Sequence, residues 1–394
     1  MRDTSPGAGP PLGLYLHIPF CAALCGYCTF NRRLAAPDLI RRYVAALERE
    51  IGGSGADAPG GRSAADTLYF GGGTPSLLEP DDLARLVGAC RDVFDVPADA
   101  EVTLEANPET VDARRLAGFR RAGANRLSLG VQSFLDRELA RLGRIHTVAR
   151  ARAAMADARD AGFDNVSVDL MMWLPEQTLE DWLVSVDALA GLDPEHASLY
   201  MLELYPNAPL REDMAREGWT QAPDEIAAEM YLQGMERFEA AGYGQYEISN
   251  LARPGWQSRH NLKYWTDGAW LGLGSGAHST RDGFRWKNVP DTEEYISRCG
   301  AGVGPAVDRE VLTDRRRVED ALVMGLRLSA GVDLVSIERR YGVDVWQTCG
   351  ESLAPFVEAG LLVGDPGRLR LTRPGMLLAN EVMSTFVEPG STIQ

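Results

Sequence analysis

The stretch Leu14–Phe30 (LYLHIPFCAALCGYCTF) joins an apolar segment to three closely spaced cysteines. The apolar segment predicts a buried β-strand. Cys21, Cys25 and Cys28 follow it with the spacing C-x3-C-x2-C. Three thiolates on one loop are suited to hold an iron–sulfur cluster, and a cubane cluster with three protein thiolates keeps one iron open to an outside ligand. The alternatives are a zinc loop, although zinc prefers four ligands, and three unrelated buried thiols.

The chain has 394 residues, which predicts a large domain plus a smaller one. Its formal net charge of −16 argues against a nucleic-acid partner, and against binding anionic membranes by charge alone. No run of 18 apolar residues is present, so the sequence predicts no integral membrane protein. Half of the six cysteines are clustered, which favours a cytoplasmic protein with one metal cluster over a disulfide framework. We interpret residues 1–11 as a disordered tail, not a signal peptide.

Strand-like apolar segments alternate with helical patterns from Leu12 to about residue 250. Three helical patterns end in Ala-Gly, at Gly123, Gly162 and Gly242, and a strand pattern follows each of them closely, the last at Gln245–Ser249. Glycine suits the left-handed position that ends a helix. Alternating strands and helices predict parallel strands with right-handed crossovers. About six such units favour an α/β fold, a partial (β/α)6 TIM-like barrel and not a closed eight-unit barrel.

A smaller domain is predicted after the barrel. Three helical patterns between Val318 and Ala359 precede two short strands around the turn signal Gly364–Gly367, and a last helix follows. This order predicts a winged-helix-like C-terminal domain, with the domain join near residues 300–305. The expected division is therefore a tail at 1–11, the barrel at 12–250, an extension at 251–305 and the C-terminal domain at 306–394.

Glycines and polar side chains follow the predicted strands at their carboxyl ends, where such barrels hold ligands. Gly71–Thr74 comes directly after the second strand, and glycine lets a ligand approach the backbone. Glu105, Gln132 and Asp169 end the next three strands, and Arg144 lies on the connection after the fourth. These groups offer partners for hydroxyl, ammonium and carboxylate groups of a ligand. For each residue the alternative is a surface salt bridge or a strand-end cap.

The segment from Tyr246 to Ser279 concentrates glycines, aromatic residues and two of the five histidines. His260 lies just before Tyr264 and Trp265 in the pattern HNxxYW. A histidine beside aromatic rings is suited to ligate heme iron, or is a core histidine with satisfied hydrogen bonds. On the chemistry of these residues alone, the structural role is favoured.

Together these motifs resemble the HemN/HemW family of radical SAM proteins, and its HemW branch of heme chaperones most closely. The resemblance covers nearly all of the chain from Leu12 to about residue 390. The motifs that carry it are YxHIPFC at 15–21, GGGTP at 71–75, LGVQSF at 129–134, YEISN at 246–250, HNxxYW at 260–265 and GLGxGAHS at 272–279.

The resemblance implies a [4Fe-4S] cluster on Cys21, Cys25 and Cys28, with S-adenosylmethionine (SAM) on the open iron. It implies SAM contacts from nine residues, namely Tyr15, Tyr27, Gly72, Gly73, Thr74, Glu105, Gln132, Arg144 and Asp169. It also implies heme binding by His260, Tyr264 and Trp265, which reverses the preference for a structural histidine. The expected partners are heme or porphyrin and heme-acceptor proteins, respiratory membrane proteins among them.

One position divides the family. HemN-type enzymes have a further cysteine two residues after the third ligand, whereas this chain and HemW-like proteins have phenylalanine there, here Phe30. We therefore expect a heme chaperone. An oxygen-independent coproporphyrinogen III dehydrogenase and a radical SAM C-methyltransferase are the alternatives, and reductive cleavage of SAM stays open. Trp173 stands where HemW-like chains usually have glycine, and a large side chain at the barrel mouth bears on the ligand pocket.

Overall fold

The computed structural model describes residues 10–55 and 61–387, so most of the predicted tail at 1–11 lies outside the described residues. The strands are β1 (Leu12–Ile18), β2 (Phe20–Cys21), β3 (Arg33–Leu34), β4 (Ala65–Gly72), β5 (Glu101–Ala106), β6 (Arg126–Gln132), β7 (Val166–Met172), β8 (His196–Met201), β9 (Gly244–Glu247), β10 (Asn250–Ala252), β11 (Trp270–Leu273), β12 (His278–Arg281), β13 (Phe284–Asn288), β14 (Ala306–Val311), β15 (Val332–Asp333), β16 (Leu362–Asp365) and β17 (Arg368–Leu371).

The helices are α1 (Pro37–Gly53), α2 (Pro80–Val93), α3 (Ala113–Arg121), α4 (Asp136–Arg141), α5 (Val148–Asp160), α6 (Leu179–Ala190), α7 (Pro209–Glu217), α8 (Asp224–Ala240), α9 (Arg259–Trp265), α10 (Thr292–Gly300), α11 (Asp314–Gly325), α12 (Leu334–Tyr341), α13 (Val345–Glu358), α14 (Arg373–Leu377) and α15 (Ala379–Ser384). Across the described ranges, every helix is too short or too polar to span a bilayer.

One large sheet has the strand order β14-β13-β12-β11-β1-β4-β5-β6-β7-β8-β10-β9. Within it β1, β4, β5, β6, β7 and β8 pair in parallel, each with the next. Helices connect these strands, as right-handed crossovers require. The six parallel strands confirm the predicted partial barrel. Strand β11 also pairs in parallel with β1, and β12 to β14 continue the sheet with antiparallel pairing.

The helix ends and strand starts of the barrel follow the local sequence signals. Gly123, Gly162 and Gly242 have φ angles of 112°, 85° and 89°, which confirms the left-handed helix ends. The side chain of Thr178 accepts a hydrogen bond from the backbone of Asp181, whose carboxylate accepts one in return and completes a capping box. Strand β1 is buried at six of its seven positions because helices cover one face and the barrel interior covers the other.

The expected strand at Gln245–Ser249 is wrong in one respect. Strand β9 ends at Glu247, and after a two-residue connection β10 runs back antiparallel, paired with both β9 and β8. A connection this short forces a hairpin, since a parallel crossover needs about a dozen residues. The seventh strand therefore does not extend the parallel series, and β10 takes the place beside β8.

The C-terminal part has its own three-stranded sheet, in the order β15-β17-β16. Helices α11, α12 and α13 precede the β16–β17 hairpin, whose turn lies at Pro366–Gly367, and two short helices follow it. This order matches the predicted winged-helix-like domain. Strand β14, at residues 306–311, pairs with β13 in the large sheet. The division of the chain into domains otherwise stays a prediction.

Candidate functional site

The three clustered cysteines follow β1 at the carboxyl end of the barrel strands, where Cys21 ends the short strand β2 and Cys25 and Cys28 lie on the loop after it. Cys21 is buried, Cys25 and Cys28 are partly exposed, and all three are free thiols. The loop is curled by a hydrogen bond from the backbone N–H of Cys28 to the carbonyl of Cys25 at 3.3 Å. The guanidinium of Arg32 donates to the carbonyls of both residues, at 2.9 Å for Cys25. As a result, all three thiols line one cavity of about 430 Å³.

The three thiols that line this cavity are the kind of ligand that an iron–sulfur cluster requires. Burial raises the pKa of the Cys21 thiol, so an iron would have to displace its proton. The guanidinium of Arg144 lies 3.5 Å from Cys25 Sγ, so a positive charge stands next to this donor. Within residues 10–55 and 61–387, no three His, Cys, Asp or Glu side chains surround a single-ion position. A cluster distributes its thiolates over several irons, and three free thiols around one cavity suit that demand.

Eight of the nine residues predicted to contact SAM line the same cavity. They are Tyr27, Gly72, Gly73, Thr74, Glu105, Gln132, Arg144 and Asp169. The ninth, Tyr15, lies outside the lining, with its hydroxyl 3.1 Å from His17 Nδ1 and its ring stacked on Tyr69. The fold thus brings the strand-end residues and the cysteines together, and direct contact of each with SAM stays a prediction.

Glu105 is held rigidly on the wall of the cavity. Its Oε1 accepts a hydrogen bond from the Tyr69 hydroxyl at 2.8 Å, and its Oε2 accepts one from the backbone N–H of Gly72 at 3.0 Å. Burial nevertheless raises the pKa of Glu105 to about 7. Burial also raises the pKa of Asp169, to which Ser128 Oγ donates at 3.3 Å. The charge of Glu105 on this wall therefore changes close to neutral pH.

Gln132 has a strained backbone at the end of β6. Its φ angle is 71°, and the pairing of β6 with β7 is irregular between Gly130 and Gln132. A positive φ outside glycine costs about 1–3 kcal/mol and is common at ligand sites. The Oε1 atom of Gln132 is buried and has no hydrogen-bond partner among the described residues. It is therefore an acceptor available to a donor group of a ligand.

The sequence motifs missed Asn107, which organises the centre of the cavity. Its Nδ2 donates to Thr74 Oγ1 at 3.1 Å, and its Oδ1 accepts from Arg144 at 2.7 Å. Arg144 also donates to the carbonyl of Gly130 at 2.8 Å. Asn107 directly follows β5, so its place just after a strand was the signal available in the sequence.

An apolar rim surrounds the mouth of the cavity. Its members are Phe30, Tyr200, Met201 and Tyr205, with exposed fractions of 70%, 43%, 41% and 48%. Only the fold brings Phe30 of the cysteine loop next to the end of β8 and the segment that follows it. Large apolar side chains exposed around a cavity are typical of a surface that receives an apolar ligand or a partner.

His260 lies at the opposite end of the barrel, beside the first residues of the strands. Its Nδ1 is 2.8 Å from Thr67 Oγ1 of β4, and its Nε2 is 2.9 Å from the Tyr264 hydroxyl. Its backbone N–H donates to Glu101 Oε1 at 3.0 Å. Burial lowers the pKa of His260 to about 3. The structure therefore does not bring His260 to the cysteine cavity, and both ring nitrogens are already in hydrogen bonds.

The other two predicted heme contacts, both on α9, pack against β11 and against the segment that follows α11. The ring of Tyr264 meets Trp270 edge-on, with centroids 4.9 Å apart. Trp265 is covered by the guanidinium of Arg327 at 4.4 Å, and Arg327 pairs with the buried carboxylate of Glu247 at 3.1 Å. The HNxxYW and YEISN motifs thus meet in one packed network.

Trp173 has a φ angle of 61° directly after the end of β7. Glycine adopts such an angle without steric cost, in keeping with the glycine that the resemblance implies for this position. The Trp173 indole N–H donates to the carbonyl of Ala222 at 2.7 Å, and the Trp173 carbonyl accepts from Gln221 at 2.8 Å. The side chain ties the segment before α8 to the barrel and is absent from the lining of the cysteine cavity.

Comparison with known proteins agrees with this geometry. The profile of the radical SAM superfamily matches residues 15–189, and that of the HemN C-terminal domain matches residues 312–378. The structure of coproporphyrinogen III oxidase (HemN) from Escherichia coli, described as a radical SAM enzyme, gives a TM-score of 0.83 at 24% identity, covering 95% of this chain and 90% of that one. That likeness shows the fold. Fold, cysteine loop and profile together define the radical SAM class.

Full-length relatives identify the family. The heme chaperone HemW of Bacillus subtilis is 36% identical over 374 residues, covering 95% of this chain and 98% of the relative. The heme chaperone HemW of Mycobacterium tuberculosis is 38% identical over 392 residues, covering 97% and 96%. The chain therefore belongs to the HemW family of radical SAM proteins. Membership of the radical SAM class implies a [4Fe-4S] cluster and SAM as cofactors.

Proposed function

We propose that this protein is a heme chaperone that binds heme together with a SAM-liganded [4Fe-4S] cluster and passes the heme to acceptor proteins. The observation that carries the proposal is the cavity in which three free thiols meet eight predicted SAM contacts, beneath a rim that bears Phe30 in place of a fourth cysteine. The relatives that match over the full length are named heme chaperones.

The residues of the cavity have separate roles in this proposal. Cys21, Cys25 and Cys28 hold the cluster, which supplies redox chemistry and an open coordination position when bound. Arg144 lies beside Cys25 and is suited to meet the carboxylate of SAM. Glu105 accepts hydrogen bonds and, when ionised, attracts a cationic ligand.

The residue at position 30, on the rim of the cavity, favours a chaperone over the oxygen-independent coproporphyrinogen III dehydrogenase. A cysteine at position 30 is the feature expected of that enzyme, and the exposed Phe30 offers no thiol. We therefore expect no conversion of coproporphyrinogen with SAM and a reductant. The C-methyltransferase alternative predicts a methylated product together with S-adenosylhomocysteine and 5′-deoxyadenosine.

Heme ligation by His260, with Tyr264 and Trp265 against the porphyrin, stays a prediction from the resemblance. In the described conformation His260 Nε2 is hydrogen-bonded to the Tyr264 hydroxyl at 2.9 Å. Ligation of iron therefore requires this hydrogen bond to be released. The recipients of the heme, respiratory membrane proteins among them, and the cytoplasmic location also stay predictions.

The function is tested by heme binding and heme transfer with anaerobically reconstituted protein. Hemin is titrated into the protein, and the loaded protein is then mixed with candidate apo-acceptors and separated from them. The expected result is stoichiometric binding followed by appearance of heme in an acceptor. A variant with all three clustered cysteines changed to alanine is expected to lose the cluster and keep heme binding. Protein that binds no heme, or that decarboxylates coproporphyrinogen, contradicts the proposal.

A further inference from the structure

A second cavity lies apart from the cysteine site, between α1 and α10 on one side and strands β11 to β14 on the other. Its volume is about 1060 Å³. Leu271 and Leu273 of β11 contribute apolar surface, and Phe284 and Trp286 of β13 add two half-buried rings. Phe284 and Trp286 are two residues apart on one strand, so their rings lie on the same face of the sheet. We call this cavity the aromatic cleft.

Two of the three arginines that line the aromatic cleft have no carboxylate partner among the residues that the structure describes. Arg49 of α1 and Arg309 of β14 line it, and neither has an ion pair with an acidic side chain in the described part of the chain. The guanidinium of Arg309 lies over Phe284 at 4.2 Å and near Trp286 at 5.7 Å. In a chain with a net charge of −16, two unpaired arginines at one cleft produce a local positive potential.

Glu50, the acidic group at the base of the cleft, forms no ion pair with Arg49 or Arg309 in the described part of the chain. Glu50 accepts hydrogen bonds from the backbone N–H of Gly274 at 2.7 Å, from Asn288 at 2.6 Å and from the Tyr295 hydroxyl at 2.5 Å. Burial raises its pKa. A third lining arginine, Arg281, is paired with the exposed Asp282, which also lines the cleft.

The cavity beside Tyr264 differs in this respect. It is smaller, about 400 Å³, and its arginines already have partners. Arg285 pairs with Asp320 at 2.9 Å, and Arg340 pairs with Asp267 at 2.7 Å. The aromatic cleft thus differs from the cavity beside Tyr264 in combining two half-buried rings with two arginines that have no carboxylate partner among the described residues.

We propose that the aromatic cleft is the porphyrin-binding site of this protein. It binds a planar, largely apolar tetrapyrrole by contacts with the macrocycle and with the carboxylates of the ligand. The inference rests on the proposed heme-binding function and assigns a place to it. Phe284 and Trp286 provide aromatic contact with the macrocycle. Arg49 and Arg309 pair with the carboxylates as planar hydrogen-bond donors. Binding here leaves the hydrogen bonds of His260 intact.

The test uses metal-free protoporphyrin as the probe, because it removes iron ligation from the measurement, and hemin as the second ligand. Both are titrated into the anaerobically reconstituted full-length protein. One variant combines Arg49→Gln with Arg309→Gln, two exposed positions whose replacement leaves the core untouched. A second variant is Trp286→Leu, and circular dichroism checks that each variant is folded.

Matched control variants distinguish ligand binding at the aromatic cleft from unspecific binding elsewhere on the protein. Arg42→Gln with Arg298→Gln removes two arginines of the same helices, α1 and α10, outside the cleft. Trp346→Leu removes a tryptophan that lines a different cavity in the C-terminal part. His260→Gln tests ligation of iron at the barrel end.

The expected result is that the double arginine variant weakens protoporphyrin binding about tenfold, as loss of two exposed ion pairs would. Trp286→Leu weakens it as well, because the aromatic contact with the macrocycle is lost. Hemin binding weakens in parallel, and the two controls outside the cleft, Arg42→Gln with Arg298→Gln and Trp346→Leu, bind like the wild type. If the wild type binds both ligands and the cleft variants bind them equally well, the cleft is not the porphyrin-binding site. If hemin affinity is lost only in His260→Gln, the porphyrin-binding site is at His260. If the wild type binds neither ligand, the proposed function itself fails.

Discussion

Replacement of His260 by alanine is expected to destabilise the folded chain severely. The imidazole is 1% exposed, and it pairs with the hydroxyls of Thr67 and Tyr264 at 2.8 and 2.9 Å. Removing it leaves two buried hydroxyls without partners, each at a cost of about 1–3 kcal/mol. The void left by the ring adds to this cost. Together these effects predict a loss of roughly 4 kcal/mol in the free energy of unfolding, a large share of the stability of an ordinary domain.

The same burial predicts a pH dependence with a defined sign. The pKa of His260 is lowered from 6.5 to about 3 in the folded state, so the unfolded chain binds an extra proton between these values. The stabilisation from His260 is therefore complete above pH 6.5 and falls by about 1.4 kcal/mol per pH unit as the pH decreases towards 3. The alanine variant lacks this contribution. The difference in the free energy of unfolding between wild type and His260→Ala therefore becomes smaller as the pH decreases.

The assay is urea unfolding of the reconstituted protein under anaerobic conditions, followed by circular dichroism at several pH values from neutral to mildly acidic. His278→Ala is the matched control, since His278 is exposed on β12. Surface substitutions of this kind usually stay within about 0.5 kcal/mol. If His260→Ala is as stable as His278→Ala, or if the stability difference does not change with pH, the imidazole is not held as described. It would then be free to ligate heme iron, as the resemblance implies.

Three further predictions concern the barrel mouth. SAM affinity should rise with pH up to about 7 as Glu105 ionises, because the carboxylate attracts the cationic ligand, and Glu105→Gln should abolish this rise in equilibrium dialysis. Gly130→Ala should weaken SAM binding roughly tenfold with the fold intact, because a Cβ there would lie 3.0 Å from Asn107 Oδ1 and 3.1 Å from Gln132 Nε2. Trp173→Phe should lower the midpoint of thermal unfolding by a few degrees, because phenylalanine cannot donate to the carbonyl of Ala222 and keeps a bulky side chain at a φ of 61°.

The parallel part of the fold could be predicted because its signals are local. Apolar segments, helical patterns and the Ala-Gly helix ends at Gly123, Gly162 and Gly242 each lie within a few residues. The hairpin of β9 and β10 could not be predicted in this way. Which strand lies beside β8 depends on pairing between distant segments, and the pattern at Gln245–Ser249 is compatible with one strand or two.

The meeting of the predicted site residues in one cavity follows from the strand ends. Parallel strands place their carboxyl ends at one edge, so Glu105, Gln132 and Asp169 meet the cysteine loop there. Asn107 was missed because a single polar residue after a strand resembles an ordinary cap. The aromatic cleft was missed because Arg49 lies far from Phe284 and Trp286 in sequence, and only the pairing of β11 with β1 brings α1 next to the extension.

The cluster site is tested most directly by iron and sulfide content combined with electron paramagnetic resonance of the reduced protein, with and without SAM. The wild type should hold about four irons and four sulfides per chain, and SAM should change the spectrum because it reaches the open iron. Changing Cys21, Cys25 and Cys28 to alanine should remove both the iron and the signal. A full cluster in that triple variant, or a wild-type spectrum that SAM leaves unchanged, would contradict the assignment of this cavity.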